Sequence, residues 1–292
     1  MCIIVAKYFD GIGWAGAKNR DRKYIPTLDF IESEDHGIGR MMMHDLVTGY
    51  KEGINSHGVS ILNTSLDVLD DEPDVESGNA KSSPDGNIIA HALLHDNALN
   101  AVHHILKKKL VGCTMVFDKE NMFLVEASGQ DGSKSYKYKV KKIPNTETVV
   151  RTNHGIWLPW ASFQRKDGDK QQTLDRISSE ARFLQAQYVV ENAEKPEDLV
   201  DGLCRINTTH PQLNIMRMST GKDEFRTTSQ ELCVPSERTL YCRPISSHLK
   251  FDFWSYNKPK PNVWVEILSN RALWQHGKKD IPFNDMNLKD VK

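Results

Sequence analysis

The chain opens on an unbroken apolar run. Cys2-Ile3-Ile4-Val5-Ala6 follows Met1 and ends at Lys7. A run that short and that rich in β-branched residues predicts a buried strand over residues 1–7. A turn around Asp10-Gly11 leads to a second strand over 11–17, and His57-Gly58-Val59-Ser60-Ile61-Leu62-Asn63 predicts a third. The pattern then lapses. Six acids between Asp67 and Glu76, followed by Ser-Gly-Asn and Ser-Ser-Pro-Asp-Gly, mark residues 67–87 as a loop. Residues 91–109 predict a helix, with Leu93, Leu94, Leu99, Val102, Ile105 and Leu106 as its apolar face and Lys107-Lys108-Lys109 at the dipole's negative end. Strands are expected at 113–117, 122–127, 136–140 and 148–151. A long helix follows over 170–191, with Leu174, Ile177, Ala181, Leu184 and Tyr188 at helical spacing, and another over 196–207. Residues 227–234 and 239–243 alternate like a hairpin, and 263–268 add a last strand.

Strands thus come in consecutive groups separated by helices. That order favours an α+β fold, antiparallel sheets with helices on their outer faces. No repeat or linker separates two cores, so the 292 residues predict a single domain, with an acidic loop and a C-terminal extension over about 246–292.

Composition narrows the function. The chain is 39% hydrophobic and 26% charged, ordinary for a globular domain, and its formal net charge of -1 favours neither nucleic acid nor an anionic membrane. No apolar stretch is long enough to span a bilayer, and Lys7, Asp10 and Lys18 interrupt any secretory signal. The five cysteines (Cys2, Cys113, Cys204, Cys233, Cys242) are odd in number and contain no CxxC pair. That argues against a disulfide framework or zinc and for a reducing, cytoplasmic compartment.

Two familiar motifs mislead. Gly11-Ile12-Gly13-Trp14-Ala15-Gly16 spells GxGxxG, but Trp14 blocks the approach of a pyrophosphate and the next residues open no helix, so a glycine-rich hairpin is expected. His91 and His95, four apart with His103 and His104 nearby, lack the glutamate of a zinc protease and read as a helix face. No cofactor or metal is expected.

Cys2 carries the candidate chemistry. Once Met1 is removed, it would hold a thiol and a free α-amine on one residue, groups that ordinarily titrate at about 8.5 and 8. The cluster Lys18-Asn19-Arg20-Asp21 ends the second strand, a hairpin's length away. In a pleat Lys18 and Arg20 share a face, and either cation would favour the thiolate.

These residues together resemble the N-terminal nucleophile hydrolases, specifically the choloylglycine hydrolase and penicillin V acylase family. That family begins Met-Cys, and its Arg-Asn-x-Asp hairpin end corresponds to Lys18-Asn19-Arg20-Asp21. Its Gly-x-Asn-x-x-Gly segment running into Leu-Asn corresponds to Gly53-Ile54-Asn55-Ser56-His57-Gly58 and Leu62-Asn63. Its Thr-Asn is similar to Thr152-Asn153, and its Ser-x-x-(Ser/Ala)-Arg-Phe segment to Ser178-Ser179-Glu180-Ala181-Arg182-Phe183. Thr227-Thr228-Ser229-Gln230 and Thr239-Leu240-Tyr241 resemble its late strand pair. The matches run in order to about residue 245. Lys18 stands where the family has arginine, with an arginine at position 20 instead, and the two residue types are not equivalent at a forked contact.

The resemblance implies a four-layer αββα sandwich and an amidohydrolase acting on linear carbon–nitrogen bonds other than peptide bonds. Cys2 would be the nucleophile, its amine the acid and base, and a thioester the intermediate. Asp21 would orient the amine, Asn63 and Asn153 would serve the oxyanion and the amine, and Arg182 would add positive potential. Lys18 and Arg20, with Trp157, Trp160 and Phe163 as pocket walls, would meet a small N-acyl amide with an apolar acyl group. The acidic loop is expected to disfavour strongly anionic substrates. Partners are expected to be that small molecule, without nucleic acid or membrane, self-association being left open. Met-Cys-Ile-Ile and Asn-Arg-Asp also resemble the transport and Golgi organisation family, a binding or trafficking alternative, with Arg22 in place of that family's glutamate. A penicillin-biosynthesis acyltransferase and a glutaminase domain are further readings.

Overall fold

A computed structural model describes residues 1–24, 26–66, 84–129, 136–162, 170–204, 210–217, 224–244 and 250–251. Strands β1 (Cys2–Phe9), β2 (Gly13–Arg22), β10 (Val149–Arg151), β11 (Arg226–Val234) and β12 (Thr239–Pro244) form one sheet, in the order β10-β1-β2-β11-β12. The other sheet runs β13-β3-β4-β5-β6-β7-β8-β9. Its strands are β3 (Thr27–Asp35), β4 (Ile38–Asp45), β5 (Tyr50–Asn55), β6 (Ser60–Thr64), β7 (Gly112–Phe117), β8 (Met122–Ser128), β9 (Lys137–Ile143) and β13 (Lys250–Phe251). All pairings described are antiparallel except that of β13, which lies parallel to β3 at the edge.

Three apolar clusters define four layers. Ile4, Ala6 and Trp14 of the first sheet meet Met41, Ile54, Leu62, Met115 and Phe117 of the second. On the first sheet's outer face, Ile3, Val5, Ala15 and Ala17 pack on Ala186, Val189, Leu199 and Val200 of helices α3 (Lys170–Glu191) and α4 (Pro196–Gly202). On the second sheet's outer face, Ile61, Val116 and Val125 pack on Ile89, Ala101 and Ile105 of helices α1 (Pro84–Ala92) and α2 (Ala98–Lys107). The expected αββα sandwich is the observed one. It explains why β1 is a continuous apolar run: both its faces are covered, so neither can be polar.

Several sequence expectations need correction. Strands β3, β4 and β5 were not anticipated, because acids on β3 and glycines at Gly39 and Gly53 mask the alternation. Their hairpin signal was present: His36 and Gly37 both have positive φ (52° and 77°), a two-residue turn of the type that favours an -X-Gly- loop. The helix expected over 91–109 is two helices. Asn97 caps the second, accepting from Asn100 N at 2.9 Å, so His91 and His95 do not share a helix. Residues 84–87 of the expected loop are the first turn of α1, and α4 ends at Gly202. The rest of the loop, the end of the 196–207 helix, the 263–268 strand and Phe163 lie outside the described residues.

Helix α3 has the expected bounds but the opposite face. Leu174 (58% exposed), Leu184 (65%) and Tyr188 (58%) point outward. The buried side carries Ser178, Ser179, Arg182, Ala186, Val189 and Val190. Apolar periodicity alone selects the wrong stripe here, because the buried one is partly polar and built to hold Arg182. The GxGxxG segment is the β1–β2 hairpin, with positive φ at Gly11 and Gly13. Among the described residues no helix is long and apolar enough to cross a membrane.

Candidate active site

The β1–β2 register places Cys2 opposite Arg20 and Ile4 opposite Lys18. Directly paired residues share a face, so the Cys2 thiol lies on the inter-sheet side with Lys18, Arg20 and, two residues further, Arg22. Asn19 and Asp21 lie on the other side, toward the helices. Cys2 therefore has its sulfur in one polar environment and its nitrogen near another.

On the sulfur side, Arg22 Nη1 stands 3.6 Å from Cys2 Sγ and donates to Asp21 O at 3.0 Å. Arg22 Nε donates to Tyr24 Oη at 3.0 Å and lies 3.5 Å from Asp45 Oδ2. Lys18 Nζ donates to Glu52 Oε2 and to Asn63 O, both at 2.7 Å. Arg20 donates to Glu52 and lies 3.4 Å from Glu231 Oε1. Burial pushes the Cys2 thiol up, but Lys18, Arg22, the terminal amine and Arg20 together outweigh it and hold it at about 6. Burial would also raise Glu52, yet Lys18 and Arg20 keep it below the usual carboxylate range. Glu231, buried beside Glu52, is pushed up to about 7.

On the nitrogen side, the Cys2 N–H donates to Asn153 Oδ1 at 2.9 Å. Asn153 Nδ2 donates to Thr64 Oγ1 at 2.9 Å and Ser65 O at 2.7 Å, and its own N–H donates to Ser179 Oγ at 3.0 Å. Arg182 Nη1 donates to Asp21 Oδ2 at 2.9 Å, and Nη2 donates to Asn153 Oδ1 at 3.3 Å. Thr227 Oγ1 donates to Asp21 Oδ1 at 2.9 Å. The partner of Arg182 is thus Asp21 on a distant strand, while Glu180 pairs with Arg176.

Met1 covers this arrangement. Its amine donates to Asp21 O at 3.1 Å, and its carbonyl accepts from Asp21 N at 2.8 Å. Arg182 Nη2 and Arg217 Nη2 each lie 3.9 Å from its sulfur. With Met1 in place, Cys2 is only 4% exposed and Met1 itself 7%. Burial drives the Met1 amine down to about 4.

Of the other residues singled out from sequence, Asn63 meets Lys18 only through its backbone carbonyl, and its side chain lies on the helix-facing side of the second sheet, away from Cys2. Its Nδ2 donates to Val111 O at 3.2 Å and Thr114 Oγ1 at 2.8 Å. Gly112 permits this: its φ is +110°, and a Cβ there would stand 2.8 Å from Asn63 Nδ2. Trp157 packs on the inter-sheet core under the Arg151 guanidinium, at 4.8 Å, and its backbone N–H donates to Glu126 Oε1 at 2.9 Å. Trp160 packs on the same core, with Lys137 5.6 Å from its ring. Sequence reasoning overlooked four members of the site. Arg22 was readable, because Lys18, Arg20 and Arg22 continue one period-2 stripe. Glu52 lies on an unanticipated strand. Glu231 and Arg217 carry no local signal.

His91, His95 and His104 do come together: His95 Nε2 is 3.3 Å from His104 Nδ1, and the His91 and His104 rings stack at 6.3 Å. No group of three or more His, Cys, Asp or Glu suited to a metal occurs among the described residues.

No family model and no curated protein matches the chain. Solved structures do. The penicillin V acylase from Agrobacterium tumefaciens is 11% identical, with a TM-score of 0.46, over 84% of this chain and 87% of that one. A mutant of the conjugated bile acid hydrolase from Clostridium perfringens is 10% identical, with a TM-score of 0.47, over 92% and 100%. At that level of likeness, the chemistry of this chain rests on its own residues.

Proposed function

We propose that the protein is an N-terminal cysteine amidohydrolase acting on small N-acyl amides in a reducing compartment. One observation carries the reading. The sulfur of Cys2 lies against fixed cations that favour thiolate, while the nitrogen of the same residue points at the Asn153 acceptor. Loss of Met1 would convert that nitrogen into a free amine facing the same acceptor.

The thiolate then attacks the amide carbonyl carbon. A C–S bond forms and the carbonyl π pair moves onto oxygen. Collapse breaks the C–N bond, and the departing nitrogen takes a proton from the Cys2 ammonium. The thioester is hydrolysed by a water that gives its proton to the same amine, releasing the acid and restoring the thiolate. General acid–base help of this kind contributes about 10²–10⁴ in rate. Asn153 orients the amine, with Asp21 and Arg182 fixing Asn153 in turn. The Asn153 Nδ2 is engaged in the Met1-bearing form. An oxyanion role for Asn153 therefore requires one of those bonds to be exchanged for the substrate oxygen, and Asn63, whose side chain faces the helices, takes no such role. Lys18 and Arg20 act through Glu52 and the local field, and Arg22 is the cation in contact with the nucleophile.

The test is hydrolysis of a panel of N-acyl amides by protein whose mass shows that Met1 is gone. Wild type should turn over at least one member, while Cys2→Ala and Cys2→Ser should abolish turnover with an unchanged circular dichroism spectrum. Undiminished hydrolysis by Cys2→Ala would exclude the mechanism. Retention of Met1 in natively produced protein would leave the binding-protein reading.

A further inference from the structure

Glu231 is the buried carboxyl group near the nucleophile that the mechanism leaves unused. It lies on the inter-sheet face of β11, paired with Lys18 of β2, and is fully buried. Its neighbour Glu52 is well supplied with donors. Lys18 Nζ reaches both Glu52 oxygens, at 2.5 and 2.7 Å, Arg20 donates to it, and the Asn63 N–H donates at 3.2 Å. Glu231 has far less. Its Oε1 stands 3.4 Å from Nε and Nη2 of Arg20, a guanidinium already held by Glu52. Its Oε2 accepts no hydrogen bond from any described residue, and Arg20 Nη1 donates none.

Charge accounts for the asymmetry. Among the described residues, the sulfur side of Cys2 holds three cations, Lys18, Arg20 and Arg22. Against them stand two committed carboxylates, Glu52 between Lys18 and Arg20, and Asp45 at 3.5 Å from Arg22 Nε. One positive charge is left over, and two acids border it. Arg20 connects them: it is paired with Cys2 on β1 and touches Glu231 on β11. The thiolate or the Glu231 carboxylate can balance that charge. Both together would leave an excess negative charge in a buried compartment, which is costly. The other titratable groups on Glu231 stay out of the balance. Burial raises the Cys233 and Cys242 thiols and the nearby Tyr50 hydroxyl well above their ordinary values, so all three are neutral. Glu231 itself is raised by burial, then by Glu52, with Cys2 adding to the effect.

We propose that Glu231 is a positioning residue that shares one negative charge with Cys2, keeping its proton while the nucleophile is thiolate and releasing it to solvent when the sulfur is acylated. Acylation turns the thiolate into a neutral thioester and leaves Lys18 and Arg20 with an unbalanced charge. Ionised Glu231 then holds Arg20 in place. Hydrolysis of the thioester restores the thiolate, and Glu231 takes a proton back. The catalytic part rests on the amidohydrolase reading above, whereas the exchange of charge needs only the Cys2 thiolate.

Alkylation stands in for acylation and requires no substrate. The Cys2 thiolate displaces iodide from iodoacetamide, an S–C bond forming as the C–I bond breaks, and a neutral thioether remains. On protein lacking Met1, labelled at Cys2 alone by peptide mass, the proton release at pH 7 is read with an indicator dye. Residual thiol accounts for about a tenth of a proton. Wild type should release at least three times that, and Glu231→Gln only the thiol's share. Infrared spectra then read the protonated carboxyl of Glu231 through its C=O stretch, a band absent from Glu231→Gln. Its midpoint should fall by about one pH unit in alkylated protein and in Cys2→Ala; a purely structural glutamate would keep the same midpoint in all three. Thioester hydrolysis should also slow at least threefold in wild type relative to Glu231→Gln between pH 6 and 8, because ionised Glu231 opposes the returning thiolate. Release no greater than the thiol's share overturns the proposal without any variant. So does extra release that persists in Glu231→Gln, or a band unmoved by alkylation. Charge exchange in a protein that hydrolyses no amide would keep the link between Glu231 and Cys2 and sink the hydrolase reading.

Discussion

Arg22 touches the nucleophile, and removing its charge should be visible in the thiol before any substrate is known. With the thiol at about 6, roughly nine-tenths of Cys2 is thiolate at pH 7, against about one part in thirty for an ordinary thiol near 8.5. Arg22 Nη1 is 3.6 Å from Sγ. Coulomb's law at an effective dielectric of about 20 gives roughly 4–5 kcal/mol for that separation, an upper bound before water and side chains relax. A third of it, surviving relaxation, would still move the thiol by about one pH unit. The assay is the pH dependence of iodoacetamide alkylation, read by intact mass, for wild type and Arg22→Gln. Wild type should show a midpoint near 6 and a plateau above pH 7. Arg22→Gln should move the midpoint upward by at least one unit and slow alkylation at pH 6 several-fold. Midpoints near 8.5 in both proteins would show that the cations do not govern the sulfur, and the reasoning would fail.

Asp21→Asn keeps the acceptor for Thr227 but removes the carboxylate that pairs with buried Arg182 and Arg217, so unfolding in urea should show a loss of about 3–5 kcal/mol; adding Arg217→Met should restore part of it. Gly112→Ala places a Cβ against the Asn63 amide at a φ of +110°, and should cost about 1–3 kcal/mol in the same measurement. Glu231 is raised to about 7, so the folded state holds its proton where the unfolded chain has lost it. Its contribution is full below the ordinary glutamate value and disappears as pH rises through 7. Denaturation from pH 4.5 to 8 should therefore show wild type losing stability relative to Glu231→Gln as pH rises, and a pH-independent difference would contradict the assignment.

The layered fold was legible where apolar runs are continuous. Strands β1, β7 and β8 are buried on both faces and announce themselves, and β11 and β12 alternate clearly. Strands β3 to β5 hid behind acids and glycines, and with them went Glu52, the counter-ion of Lys18 and Arg20. On α3 the apolar stripe from Leu174 to Tyr188 faces outward, because the helix turns Ser178, Ser179 and Arg182 toward the sheet to serve Asp21 and Asn153. Period-2 reasoning put Lys18 and Arg20 on one face correctly and needed one more step to reach Arg22. Arg217 was beyond reach, since nothing in the local sequence marks a guanidinium that is buried by contacts with residues 1, 21 and 178.

The central claim is that the sulfur and nitrogen of Cys2 act together in acyl transfer, and the most direct measurement traps the acyl group. Protein lacking Met1 would be mixed with an N-acyl amide it turns over, quenched in acid during turnover and mapped by peptide mass. An acyl adduct on the N-terminal peptide, lost on treatment with hydroxylamine and absent from Cys2→Ala, is the result expected. Turnover with no adduct on that peptide, or with the acyl group on another residue, would contradict it.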